Sequence, residues 1–128
     1  MTKTDAKFFD GKQAVLLSAT LVYLTLIYYF SSQSSLKISL QGFYGHMDKV
    51  AHMGEYFILG FLLFYNVAKW QKKWAFAIAV LVSGLYGVSD EIHQAFVPLR
   101  DSDVLDTMAD LVGGLCGAFI GKVVKTVL

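Results

Sequence analysis

His52, Asp90 and Glu91 are the residues of this 128-residue chain best suited to general acid-base chemistry. An imidazole near neighbouring carboxylates can take up and return a proton close to neutral pH. Around them stand Asp48, Glu55, Tyr56, Gln94, Arg100, Asp106 and Asp110 as candidate ligand-binding residues. Arg100 suits a phosphate or carboxylate, because its paired N–H donors match those groups bidentately. His52, Glu55, Asp90, His93 and Asp110 are also of the types that ligate a divalent metal. Such an ion would be required for a diphosphate ligand, which this many carboxylates would otherwise repel. No His-Glu-x-x-His is present, and no serine or cysteine sits in an evident nucleophile motif.

The spacing of these residues is helical. Asp48, His52, Glu55 and Tyr56 fall at i, i+4, i+7 and i+8 and share one face. Asp90, His93 and Gln94 share a second, with Tyr86 one turn below, and Asp106 and Asp110 share a third. Glu91 points about 100° away from Asp90 and can face a neighbouring helix. Counted from Trp74 at 1.5 Å per residue, Asp90 lies roughly 24 Å along its helix. That is about 6 Å below the far boundary of a 30 Å apolar core. Glu55 and Asp110 lie on the order of 10 Å below the same boundary. Membrane-embedded ionisable residues at one level need a wet cavity, mutual pairing or protonation, and their clustering points to function. A structural role competes at several positions. Asp48 and Lys49 suit a helix start at the water boundary, and Asp101 and Asp103 suit caps and loop charges.

The elements that must position these groups are four apolar stretches: residues 13–30, 50–68, 74–97 and 104–127. Each approaches the 20 or so residues that span a bilayer as a helix. With 55% hydrophobic residues and little chain left over, residues 1–128 read as one domain. The predicted class is all-α, an integral membrane four-helix bundle. Charge is sorted along it. All three histidines and eight of the ten acidic residues lie at one end, and eight of the eleven basic residues at the other. Lysine-rich ends stay in the cytoplasm, so both termini are expected there and the polar cluster at the outer leaflet. A cleaved signal peptide is the alternative for the first stretch. However, Tyr28, Tyr29 and Phe30 fit an aromatic interface belt better than a small-residue cleavage site. The basic turn Lys69 to Lys73, flanked by Trp70 and Trp74, predicts an antiparallel hairpin of the second and third helices. Pro98 is expected to stop the third helix at Val97. From Ser31 to Met47 the chain reads as a loop with a short interfacial piece near Leu36 to Leu40. Gly113, Gly114, Gly117 and Gly121 give small-xxx-small spacing, suited to packing within the bundle or, alternatively, to a homo-oligomer. Cys116 reads as a small packing residue. No basic patch with interleaved aromatics suggests nucleic acid.

Two motif regions resemble the VanZ-like family of small bacterial membrane proteins. The run from Asp48 through Lys49, His52 and Tyr56 to Leu59 and Gly60 is similar to that family's first motif. The second match runs from Tyr86-Gly87 through Asp90-Glu91, Gln94, Phe96, Pro98 and Arg100 to Asp106, Asp110, Gly113 and Gly114. Leu99 departs from the glycine usual before the arginine. The resemblance covers the last three helices. It implies a multi-pass protein of the bacterial cytoplasmic (inner) membrane, named for resistance to the glycopeptide teicoplanin, with no established activity. Membrane lipids are then expected partners, together with a polyprenyl-linked or peptidoglycan-related ligand at the cell envelope. Three readings stay open: an intramembrane enzyme, a binding module without chemistry, and a small proton- or ion-coupled transporter. The last is weakened by the absence of a repeat and of ionisable residues in the lysine-rich half. Arg100 is expected to pair with Asp90, Glu91 or Asp106.

Overall fold

The computed structural model of the protein describes residues 10–33, 47–100 and 102–128. Four helices account for nearly all of them: α1 (Gly11–Ser31), α2 (Met47–Trp70), α3 (Ala75–Gln94) and α4 (Val104–Val127). All four are long and apolar enough to cross a membrane, and no strand occurs among the described residues. The stretch Leu36 to Leu40, His46 and Asp101 lie outside the described residues.

Helix ends follow local chemistry. The Asp10 carboxylate caps α1 by accepting the Gln13 N–H at 2.7 Å, and Lys69 Nζ donates to its other oxygen at 2.6 Å. The Lys69 ammonium, with the Gln13 N–H, holds the Asp10 carboxyl below its ordinary range. One exposed ion pair thus joins the start of α1 to the end of α2. Trp70 and Trp74 flank the α2–α3 turn, both exposed. Asp103 caps α4 by accepting the Leu105 N–H at 2.9 Å. The third helix ends at Gln94, one turn before the Val97 expected from Pro98. Phe96 and Val97 donate to the carbonyls of His93 and Gln94, both three residues back, at 3.0 Å. The proline forbids helix at Val97, and the last carbonyls are satisfied by this tighter turn instead.

The centre of the bundle is the α2–α4 pair, with α3 packed on both and α1 at the edge against α2 and α3. Gly113, Gly114, Gly117 and Gly121 are all buried. A methyl group built on Gly113 or Gly117 would overlap the carbonyl oxygen of Met53 or Phe57 on α2, so the two backbones nearly touch. The glycine face of α4 is therefore taken up within the chain, by α2 and, at Gly114, by Ser83 of α3. Cys116 points the other way and is exposed. Large apolar side chains such as Leu81, Leu85, Leu111, Leu115 and Phe119 face outward. Lipid tails are as apolar as leucine, so a bundle in a bilayer has no reason to bury them.

Side-chain hydrogen bonds hold α1. Tyr23 OH donates to the Glu55 carbonyl at 3.0 Å and Tyr86 OH to the Leu24 carbonyl at 2.8 Å. Nearer the lysine-rich end, Asn66 Nδ2 donates to Thr20 Oγ1 at 2.7 Å while its Oδ1 accepts from Gln13 Nε2 at 3.2 Å.

Candidate functional site

At the acidic end α2, α3 and α4 converge. The four-residue step from Asp106 to Asp110 lays both carboxylates along the face that α4 turns to α2, and both are buried, at 1% and 0% exposure. His52 reaches across from α2: its Nδ1 lies 2.9 Å from Asp110 Oδ1. In the neutral ring this contact puts the proton on Nδ1, and an ion held by His52 and Asp110 together would take the place of that proton. Gly87 on α3 makes room for Asp110, since a Cβ there would meet Asp110 Cβ at 2.9 Å. Glu91 comes in from α3 with Oε2 accepting the Asp103 N–H at 3.0 Å.

A cavity of about 250 Å³ opens beside this pair. Asp48, His52, Glu55, Asp90, Gln94 and Arg100 line it, with Phe30 and Ser31 closing the α1 side. Gln94 Nε2 donates to Asp90 Oδ2 at 3.1 Å, fixing that carboxylate on the wall. Glu91 borders a separate recess of about 380 Å³ between the end of α3 and the start of α4. Tyr56 and Asp110 lie behind the first cavity's wall, fully buried.

Several buried oxygens here have no hydrogen-bond partner among the described residues: Asp110 Oδ2, Glu91 Oε1, Gln94 Oε1 and the Tyr56 hydroxyl. Buried polar atoms are almost always paired, so such a group of oxygens calls for a missing partner. Two trios place ligand-type atoms within 4.8 Å of one another: His52, Glu91 and Asp110, and Asp48, His52 and Asp106. Of the metal set expected from sequence, His52 and Asp110 are brought to this distance. Glu55 and Asp90 lie along the cavity wall instead, and Glu91 takes part in their place.

Two expectations need correction. Arg100 pairs with no carboxylate among the described residues. Its guanidinium donates to the carbonyl of Phe30 at 3.0 Å and of Gln33 at 3.2 Å. The end of α1 offers unsatisfied carbonyls, as every helix end does, and the positive charge suits that end of the helix dipole. His93 turns away from the trios to α1, where Nε2 lies 2.9 Å from Ser32 Oγ and the ring stacks on Tyr28 at 4.6 Å. Sequence reasoning also passed over Lys49, which reads as a helix-start residue. Its Nζ donates at 2.7 Å both to Asp103 Oδ2 and to Asp106 Oδ1. The available signal was its position three residues before His52, one turn away on nearly the same face.

A family model described as VanZ/LLP1 matches residues 5–125. The chain belongs to the VanZ/LLP1 family. The match takes in α1 as well as the three helices that carry the motifs. The chain is therefore a multi-pass membrane protein of this family, with four helices able to cross the bilayer. An uncharacterised protein of the fission yeast Schizosaccharomyces pombe is 36% identical over 67 residues, 52% of this chain and 41% of that protein. The chain thus matches about two fifths of that relative's length. No solved structure matches the chain.

Proposed function

We propose that this VanZ/LLP1 protein acts on a polyprenyl-linked diphosphate at the outer leaflet, with the help of a divalent cation. One observation carries the reading. His52 and Asp110, in contact at 2.9 Å and buried, have ligand atoms within 4.8 Å of Glu91, and both carboxylates keep an oxygen with no partner among the described residues. Burying uncovered carboxylate oxygens is costly unless a cation or proton covers them. His52, Glu91 and Asp110 would hold the ion. When bound it would supply positive charge to offset the negative charge of two phosphates. Asp90, fixed by Gln94 on the cavity wall, would take the proton from a water that attacks the lipid-side phosphorus, while the bridging P–O bond breaks and the sugar phosphate leaves with the bridging oxygen. Arg100 sets a permanent positive charge beside the cavity, and Glu55 and Asp48 complete its polar lining.

A lipid substrate follows from the setting. The cavity lies at the acidic ends of helices long enough to cross a bilayer, a level where a lipid headgroup would sit, with Phe30 and Ser31 on its α1 side. A protein that consumes or sequesters lipid-linked wall precursors is also placed to alter teicoplanin susceptibility.

The test uses the full chain in detergent, a labelled polyprenyl-diphosphate sugar and Mn²⁺. The expected result is Mn²⁺-dependent release of a phosphorylated sugar, reduced at least 100-fold in His52→Ala and Asp110→Asn. Retention of the lipid without turnover would establish the binding module instead. Neither turnover nor retention, with wild type and variants alike, would end the reading.

A further inference from the structure

The two trios of ligand-type residues share His52 but differ in one respect. In the first, Asp110 and Glu91 keep oxygens uncovered among the described residues. In the second, Asp106 is just as buried but is already covered, because the Lys49 ammonium lies 2.7 Å from its Oδ1 and 2.7 Å from Asp103 Oδ2. Lys49 and His52 stand one turn apart on α2. They meet Asp106 and Asp110, one turn apart on α4. The lysine head and the His52–Asp110 contact are therefore neighbouring positions one turn apart on the α2–α4 interface, with Glu91 joining the second from α3. Centres that transfer phosphoryl groups often set two cations about 4 Å apart, one for each oxygen of the displacement. A lysine ammonium is a compact point charge with three donors, suited to stand in for one of them.

We propose that the Lys49 ammonium occupies the second cation position of a two-charge centre. The chain then takes one divalent ion where its carboxylates would otherwise hold two. This inference rests on the cation reading above. The Lys49 side chain remains about one-third exposed, so a phosphate oxygen can reach it while Asp106 holds it in place. The ligand class we expect is a diphosphate, whose paired negative charges match one exchangeable ion and one fixed ammonium.

The test is a Mn²⁺ titration of the chelator-stripped full chain in detergent, with free Mn²⁺ read by electron paramagnetic resonance. Wild type should bind one ion per chain. Lys49→Met should bind two, because Asp106 is uncovered, and adding Asp106→Asn should return the count to one. Lys49→Arg should stay at one. Asp106→Asn alone should also keep one ion, which guards against misfolding of the lysine variant. Two ions on wild type, one on a Lys49→Met protein that elutes as a single species, or loss of the ion in Asp106→Asn would overturn the inference and leave the cation reading standing. No ion on wild type would overturn both.

Discussion

Leu99 has a φ of 64°, the one non-glycine residue in the left-handed region among the described residues. A side chain there costs roughly 1–2 kcal/mol, and Leu99 recovers little by burial because it is 73% exposed. Glycine gives back part of that advantage through its freer unfolded state. Leu99→Gly should stabilise the protein by about 0.5–1 kcal/mol, read as a higher midpoint in a thermal or denaturant titration in detergent. An unchanged or lower midpoint would show that the turn carries no strain. The departure from the family's glycine was visible in sequence, and so was Arg100 beside it, but not what Arg100 binds. Its acceptors are main-chain carbonyls at the end of α1, 67 and 70 residues away, which no residue type advertises. The contact of His93 is hidden from sequence for the same reason: its partner Ser32 caps the end of α1, a helix whose packing no spacing rule gives.

The extents of the helices were legible because a bilayer demands length and apolarity, and both can be counted. Pairing was legible only by half. The spacing of glycines on α4 marked a close-packing face, while the identity of α2 as the helix against it came from the structure alone. That contact separates two substitutions of identical chemistry. Gly117→Ala places a methyl against the Phe57 carbonyl, whereas Gly54 has nothing within 4 Å of its would-be Cβ. Gly117→Ala should cost about 1–3 kcal/mol through overpacking. Gly54→Ala should be neutral or stabilising by up to about 1 kcal/mol, since alanine is the better helix former. Comparing resistance to denaturation for the two variants in one detergent checks this, and equal losses would mean that α2 and α4 are less close than described. The Gln13–Asn66–Thr20 cluster escaped sequence reading because each residue is uncharged and isolated within an apolar run. Only the packing of α1 on α2 brings them together.

Across the whole molecule, charge is the coarsest signal and the most informative. Sorting eight basic residues to one end and eight acidic ones to the other predicts both termini on the cytoplasmic side. Single-cysteine variants at Ser34 and Ser102, made after Cys116→Ser, should react with a membrane-impermeant maleimide in intact cells. Labelling only after the cytoplasm is opened would invert the topology and move the cavity to the inner leaflet. The order of helices along the chain adds a consequence of its own. Asp106 and Asp110 arrive on the last of the four helices to leave the ribosome, while His52 and Lys49, their partners, arrive on the second. Until α4 enters the membrane, α2 must hold a lysine and a histidine near its end without their carboxylates. The His52–Asp110 and Lys49–Asp106 contacts therefore cannot exist until α4 is made, and their closure coincides with the insertion of the helix that locks the bundle.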